Sequence, residues 1–599
     1  VVNVNVAGYT GAATLLVFDP PGRIVGSWPV PLRGGYGAVQ VSPRGALGAH
    51  WAALFVDGQQ AASGTLYTLE AQTTVETGLR ELDALVPAVR EMLARDTLTY
   101  RLHGQTVHGY RSGDSDLLWL RDHFYQGRAY RYFEPDVTSA LDAFRRLQQP
   151  DGSILDVLPR PDVAIEGFRT PVEADVEYLY AQAIVDAWRI TGNDEWLRAM
   201  LPSAQKAIAY TLSSPLRWDP WVQLVKRPFT IDTWDFEYGP TTADPVSGQP
   251  APRHWIDDQT KWGIFHGDNT GLAQALRSLA DAEEYLGQPA LAVEHRAAAE
   301  GIVRRLNELS WNGRFYRHHV KLKPFAAPGV NEEQQLSLSN ALALNRGVLS
   351  AEQAGAIIEE YRGRLRRPGN ISFAEWWSID PPFPEGSFGL AGRIGEKPGQ
   401  YVNGGIMPLV GGELARGAFR LGLETYGFDT LRRYEALTRA TVPLSTTSFL
   451  WYYPTGGAGI GSHETIASDG WGAGAMLGAL MEGAAGVEDN GVRYSDATVS
   501  PRWPAEPGVS SAYVVARYAA SGGYVAYRWA REEKGLSVDA TGSGALLRLR
   551  LLLPATAQRG LAVSLNGQPA PVQVEAMGTS RYLLINANNP IVQVQVSWK

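Results

Sequence analysis

The 599-residue chain is too long for one ordinary domain, and with 45% hydrophobic and 19% charged residues it lies far from the composition of a disordered protein. A formal net charge of -8 gives no basic field for phosphates or an anionic membrane, so neither nucleic acid nor a membrane is an expected partner. The absence of cysteine excludes disulfides, thiolate catalysis and Cys-type zinc or iron–sulfur sites.

Residues 1 to 75 alternate apolar and polar positions in short runs (TLLVFD, GAVQVS, WAALFVDG, GTLYTLEA) broken by Gly and Pro, which predicts an N-terminal β-sandwich-like domain. Residues 76 to 490 carry helical periodicity in twelve segments: 76 to 96, 118 to 131, 134 to 149, 173 to 191, 195 to 214, 269 to 287, 289 to 309, 334 to 346, 350 to 363, 404 to 423, 427 to 440 and 470 to 484. Five connections between them are tight turns, such as Thr191-Gly192-Asn193-Asp194 and Leu286-Gly287-Gln288-Pro289. The others are long and rich in Trp, Gly, Pro and acids. Alternating short and long connections predict six helical hairpins closed into an (α/α)6 toroid, with the long loops gathered over one end of an inner ring. An α-solenoid would repeat a unit of fixed length, and none recurs. Residues 491 to 599 return to strand patterning (AYVVARYA, GYVAYRWA, LLRLRLLL, VQVQVSWK), with Asn566-Gly567 as a hairpin turn, and predict a C-terminal β-sandwich. The fold class is therefore mainly α with flanking β.

The longest loop, 215 to 268, holds IDTWDFEYG, three carboxylates among three aromatic rings. Aromatic faces pack against the C–H faces of sugars, and a carboxyl in that setting keeps its proton near neutral pH through desolvation. Asp235 is the candidate proton donor, with Asp232, Trp234 and Glu237 beside it; the alternative is that these acids cap turns or pair with Lys226, Arg227 and Arg253. Glycoside hydrolysis needs a second carboxylate across the scissile bond. The Gly-rich loop before the last helix supplies Ser462-His463-Glu464-Thr465, making Glu464 the candidate base, His463 its neighbour, Asp469 the helix N-cap and Trp471 a pocket side chain.

Trp119-Leu120-Arg121-Asp122 places a donor and an acceptor side by side at the mouth of the second helix, suited to vicinal hydroxyls, or else to a structural ion pair. Glu173 in RTPVEAD, and Tyr401 and Asn403 in GQYVNGG, end further long loops; Asn403 reads as a pocket amide or as a helix N-cap. Glu375 and Gln334-Gln335 are weaker candidates, Glu375 being the alternative base. The ten His residues contain no HExxH, His318-His319 reads as core or surface, and no DxDxDG loop is present, so no metal and no cofactor is expected. The first residues carry no signal-peptide pattern, which leaves a cytoplasmic protein or a secreted one with its signal removed.

The order WLRD, DTWDF between helices five and six, QYVNGGI, then an acid ahead of GWGAGA resembles the six-hairpin glycosidases, which include the glucoamylase-like family 15, the family 63 glucosidases and the family 78 rhamnosidases. The resemblance spans 76 to 486 and implies that Arg121 and Asp122 grip a terminal sugar, that Asp235 is the acid and that Glu464 is the base. The chain has Asp235 where glucoamylases have Glu, as family 63 enzymes do. It has Leu450 where family 63 places its base, so Glu464 enters from a longer loop. The implied activity is exo-acting, inverting hydrolysis of a terminal glycoside on an oligosaccharide or glycoconjugate, with a lean to an α-glucoside. Rhamnosidase or mannosidase activity, a polysaccharide lyase, a phosphorylase and a non-catalytic glycan binder are the alternatives.

Overall fold

The computed structural model describes residues 1–111, 116–390, 392, 396–441, 451–459 and 469–599. The chain divides into two units, Val1–Asp83 with Ile190–Gly192 and Ala485–Lys599, and Ala84–Arg189 with Asn193–Ala484.

In the first unit, strands Ile24–Leu32, Gly11–Phe18, Gly48–Val56 and Gln59–Leu69 form an antiparallel sheet in that order. Ala13, Leu15 and Val17 alternate inward along one strand and meet Val25, Val30, Leu32 and Leu54 in a shared core, as period-two patterning requires. The C-terminal segment builds a five-stranded sheet and six strands of a seven-stranded one. Leu547, Leu549 and Leu551 of the one and Val592, Val594 and Val596 of the other are buried, the alternation a two-sheet sandwich produces. Asn566 and Gly567 both take positive φ (50° and 79°) between paired Leu565 and Gln568, the two-residue hairpin turn expected. The two β segments, expected as separate domains, fall in one unit: Thr74–Glu76 adds to the edge of the seven-stranded sheet beside Ser511–Arg517, and Arg44 pairs with Asp539 at 2.8 Å. The first predicted helix accordingly starts later than residue 76, after a single turn at Arg80–Asp83.

The second unit holds twelve helices among the described residues, one for each predicted segment: α1 Leu85–Asp96, α2 Leu120–Tyr130, α3 Ser139–Arg146, α4 Val176–Thr191, α5 Asp194–Ser213, α6 His266–Tyr285, α7 Pro289–Ser310, α8 Ser339–Ala343, α9 Ala351–Leu365, α10 Pro408–Arg420, α11 Glu424–Thr441 and α12 Gly470–Gly478. Helix α8 is far shorter than 334 to 346 because Leu336–Ser337 pairs as a strand with Ile379–Asp380. Pro408, with no N–H to lose at the first turn, sets the start of α10.

Two of the helices that follow long loops are enclosed on nearly every side, α10 buried at eleven of its thirteen positions and α12 at every one, and both are accordingly rich in apolar and small residues. Those that follow tight turns bury one stripe, such as Ala292, Ala299, Ile302 and Leu306 of α7. Helix α2 packs on α12, α12 on α10, α10 on α8 and α8 on α6. Glycines permit the closest approaches: a Cβ on Gly271 of α6 would lie 2.3 Å from the Tyr178 ring of α4, and one on Gly412 of α10 would lie 2.4 Å from the Ala475 backbone of α12. No helix among the described residues is long and apolar enough to cross a membrane.

Candidate active site

The acid loop hangs from a small antiparallel sheet in the second unit. Strand Leu224–Pro228 leads into the loop and Trp262–Phe265 leads out, the two paired through Lys226 with Ile264 and Pro228 with Trp262. The loop closes at its neck, where Tyr238 N–H donates to the Phe229 carbonyl at 2.8 Å and the Thr230 hydroxyl donates to the Phe236 carbonyl. At its tip Thr233 takes φ +58°, a left-handed conformation that a β-branched residue rarely adopts. That residue breaks the strand-like alternation, so the three acids part company.

Asp235, at the half-buried tip, interacts electrostatically with both Arg121 and Glu173. Asp232 is buried and accepts the Ser339 N–H at the start of α8 at 3.1 Å; burial pushes its carboxyl up against the opposing pull of that bond, Arg227 and Arg346. Glu237 turns away from both. It binds Arg253 Nε at 3.0 Å and the Lys261 N–H at 2.6 Å inside the loop, which is the pairing alternative rather than a pocket role.

Trp119-Leu120-Arg121-Asp122 begins α2, held by Leu120 N–H on the Asp156 carbonyl at 2.8 Å. Arg121 grips Asp175 through two bonds of 2.7 and 3.1 Å and lies 3.0 Å from Glu173 Oε2. Asp122 instead accepts Trp471 Nε1 from α12 at 2.9 Å, and the Trp471 ring lies 5.3 Å from Tyr125. The two neighbours therefore face different partners rather than pairing with each other. Trp119 meets Phe168 edge-on at 5.3 Å.

Glu173 sits between two guanidinium groups, Arg121 and Arg227, the latter at 2.8 Å. Burial pushes its carboxyl well up, the two arginines oppose this, and Asp175 and Asp235 add to it. Among the described residues its Oε1 is buried without a hydrogen-bond partner. For Asp175 burial also acts upward, but Arg121 more than offsets it and the carboxyl is held below its ordinary range.

Two contributors, Asp268 and Arg346, escaped the sequence reading, and a third, Arg227, entered it only as a pairing partner of the loop acids. Arg227 reaches Asp268 at 3.5 Å as well as Glu173, and burial pushes Asp268 up to about 7 while Arg227 opposes and Asp175 and Asp232 add. Arg346 donates to the Gly267 carbonyl and the Thr270 hydroxyl, each at 2.8 Å, and favours the ionised form of Asp232. Asp268 was hidden because α6 begins at His266, three residues before the periodic run, which puts this acid in a buried first turn. The signal for Arg227 was in view as Lys226-Arg227 ahead of the acid loop.

Trp234 is only 8% exposed, its ring among Phe236, Phe388 and Tyr401 and its Nε1 without a hydrogen-bond partner among the described residues. Two expected site residues do other work. Asn403 donates to the Phe383 and Glu396 carbonyls at 3.0 and 2.7 Å and accepts the Phe383 N–H at 2.7 Å, so its amide braces the loop, while Met407 occupies the α10 N-cap. Glu375 is bound twice by Arg433, at 2.8 and 3.0 Å, and once by the Tyr426 hydroxyl. Asp469 caps α12 by accepting the Gly472 N–H at 2.8 Å. Glu464, His463 and Leu450 lie outside the described residues. Among the described residues no group of three or more His, Asp or Glu is arranged to hold a metal ion.

Arg121, Glu173, Asp175, Asp232, Asp235 and Asp268 thus converge where α2, α4 and α6 begin. Five carboxylates share this region with three guanidinium groups, Arg121, Arg227 and Arg346; burial pushes Glu173, Asp232 and Asp268 up, while Arg121 holds Asp175 down.

No protein-family model matches the chain, and no curated protein matches it in sequence. Solved structures share its fold. A GH78-family rhamnosidase of Bacillus sp. GL1 aligns at TM-score 0.54 and 14% identity over 92% of this chain and 52% of its own. An alpha-L-rhamnosidase from Dictyoglumus thermophilum aligns at 0.54 and 12% over 100% and 60%, and a structure described as a sialidase at 0.55 and 9% over 97% and 58%. The chain spans between half and three fifths of the length of these proteins. The resemblance to six-hairpin glycosidases holds at the level of the fold.

Proposed function

We propose that the chain is an exo-acting, inverting glycoside hydrolase whose helical unit is an (α/α)6 toroid. The run of contacts from α2 through α12, α10, α8 and α6, continued by Gly271 against Tyr178 of α4 and by Arg121 against Asp175, supports a closed inner ring. Asp235 protonates the leaving oxygen and Glu464 activates water on the opposite face, which calls for a carboxyl separation of about 6.5 to 9.5 Å. The observation that carries the reading is the half-buried Asp235 brought against Arg121 and Glu173 where three helices begin, on a fold shared with rhamnosidases.

The sugar is proposed as an α-glucoside, and the fold neighbours favour an α-L-rhamnoside as the second reading. The excess of carboxylates speaks against a lyase, which must neutralise a uronate. Release of reducing sugar from a panel of aryl and oligosaccharide α-glucosides, α-rhamnosides and α-mannosides tests this. Turnover of one sugar supports the hydrolase reading, and an ultraviolet-absorbing product from a uronate polymer with no glycoside turned over would replace it with a lyase.

A further inference from the structure

We propose that His318 is a positioning residue for the acid loop, fixing the Thr230 carbonyl and through it the reach of Asp235. The inference rests on the reading of Asp235 as proton donor.

His318 is fully buried, and its Nε2 lies 2.8 Å from the Thr230 carbonyl. A carbonyl only accepts, so Nε2 carries the proton and Nδ1 is bare. Nδ1 finds no hydrogen-bond partner among the described residues, and burial pushes the imidazole down to about 3 against the favourable Thr230 bond, so the ring is a neutral donor across the working pH range. Rings wall it in and fix its aim: Phe265 at 5.2 Å, His319 at 4.8 Å and Phe383 at 6.1 Å, all near edge-on. An apolar side chain would fill such a space equally well; only a donor aimed at this carbonyl uses it as His318 does.

Thr230 is held from both ends. Its carbonyl accepts from His318 and its hydroxyl donates to the Phe236 carbonyl, so one residue ties the loop to the bend just ahead of strand His319–Lys321 and also ties the loop shut. Between these anchors lie residues 231 to 235, including Thr233 with its φ of +58°. A conformation that unfavourable persists only where its surroundings dictate it. Loss of the His318 bond would orphan a buried carbonyl and let the tip relax, moving Asp235 relative to the leaving oxygen.

The test compares wild type, His318→Leu, His318→Asn, His318→Gln and Asp235→Asn on phenyl and 2,4-dinitrophenyl glycosides of the sugar turned over, with hydrogen exchange across 231 to 235. Leu removes the donor, Asn is polar but too short to reach the carbonyl, and Gln carries its N–H where Nε2 stood. The expected result is a kcat loss of about 10²-fold on the phenyl glycoside for Leu and Asn, with KM within about twofold. The dinitrophenyl glycoside, which needs no proton, should be nearly unaffected, exchange at the tip should accelerate, and Gln should restore both. If Asp235→Asn shows this leaving-group dependence and His318→Leu and His318→Asn do not, the positioning role is overturned while the acid stands. If Asp235→Asn shows none, or no glycoside is turned over, the acid assignment falls and this inference with it.

Discussion

Asp268 offers the sharpest test of the electrostatic account, because replacing it with Asn should stabilise the protein in a pH-dependent way. Its carboxyl is buried and raised from the ordinary 3.8 to about 7, first by burial and then by Asp175 and Asp232, with Arg227 opposing. A carboxyl whose folded pKa exceeds its unfolded value keeps its proton longer in the folded state. The unfolded chain then binds fewer protons between those values, and stability falls as pH rises from 3.8 to about 7 and is level above. At 1.36 kcal/mol per pH unit, the interval from 3.8 to about 7 amounts to a penalty of about 4 kcal/mol at pH 8. Asn has the same shape and never ionises, and Arg227 retains Glu173 at 2.8 Å. Urea denaturation of wild type and Asp268→Asn at pH 5, 6, 7 and 8, followed by tryptophan fluorescence, should give an advantage for the variant that widens by roughly 1 kcal/mol per pH unit up to about pH 7 and then holds. Parallel stability curves, or an advantage that shrinks with rising pH, would refute the reasoning.

Arg121→Leu should cost about 3 to 5 kcal/mol of stability, because it strands Asp175 and Glu173 in a buried site with one cation fewer; thermal melting at neutral pH measures it. Glu375→Gln should lower the melting temperature at neutral pH while leaving kcat unchanged, since this acid is committed to Arg433 and Tyr426. Burial pushes Glu375 up, but those two partners more than offset it and hold it below the ordinary 4.5, so its contribution is present above pH 4.5 and lost as pH falls through the folded value. The melting curves of Glu375→Gln and wild type should therefore converge in acid. A large loss of kcat in Glu375→Gln would instead make it the base. Asp235→Asn should lower kcat on unactivated glycosides by about 10² to 10⁴-fold while equilibrium binding of the sugar survives, measured by calorimetry.

Much of the helical unit was legible, because a helix buried on one stripe or on all sides writes its period into the sequence over many residues, as α5, α7 and α11 do. The sheet carrying the acid loop was not. Its strands run from two to five residues, Trp218–Asp219 to Leu224–Pro228, too short for an alternating pattern to register. The location of the acids in IDTWDFEYG was readable from composition, but which of them face inward depended on the left-handed Thr233, and Glu237 was taken up by Arg253. The bracing role of Asn403 left no mark in the sequence, because an amide ahead of two glycines looks the same whether it meets a ligand or, as here, the Phe383 and Glu396 backbone. Charge partners far apart in sequence, such as Arg227 with Glu173, leave no local mark and emerge only once the fold brings them together.

The central claim is a single displacement with Asp235 as acid and Glu464 as base. The measurement that tests it most directly is proton NMR of the sugar released by wild type, Asp235→Asn and Glu464→Gln, read within the first turnovers before mutarotation. The account predicts that wild type releases the inverted anomer and that neither variant turns over an unactivated glycoside. Release with retained configuration, or full activity in Asp235→Asn, would contradict it.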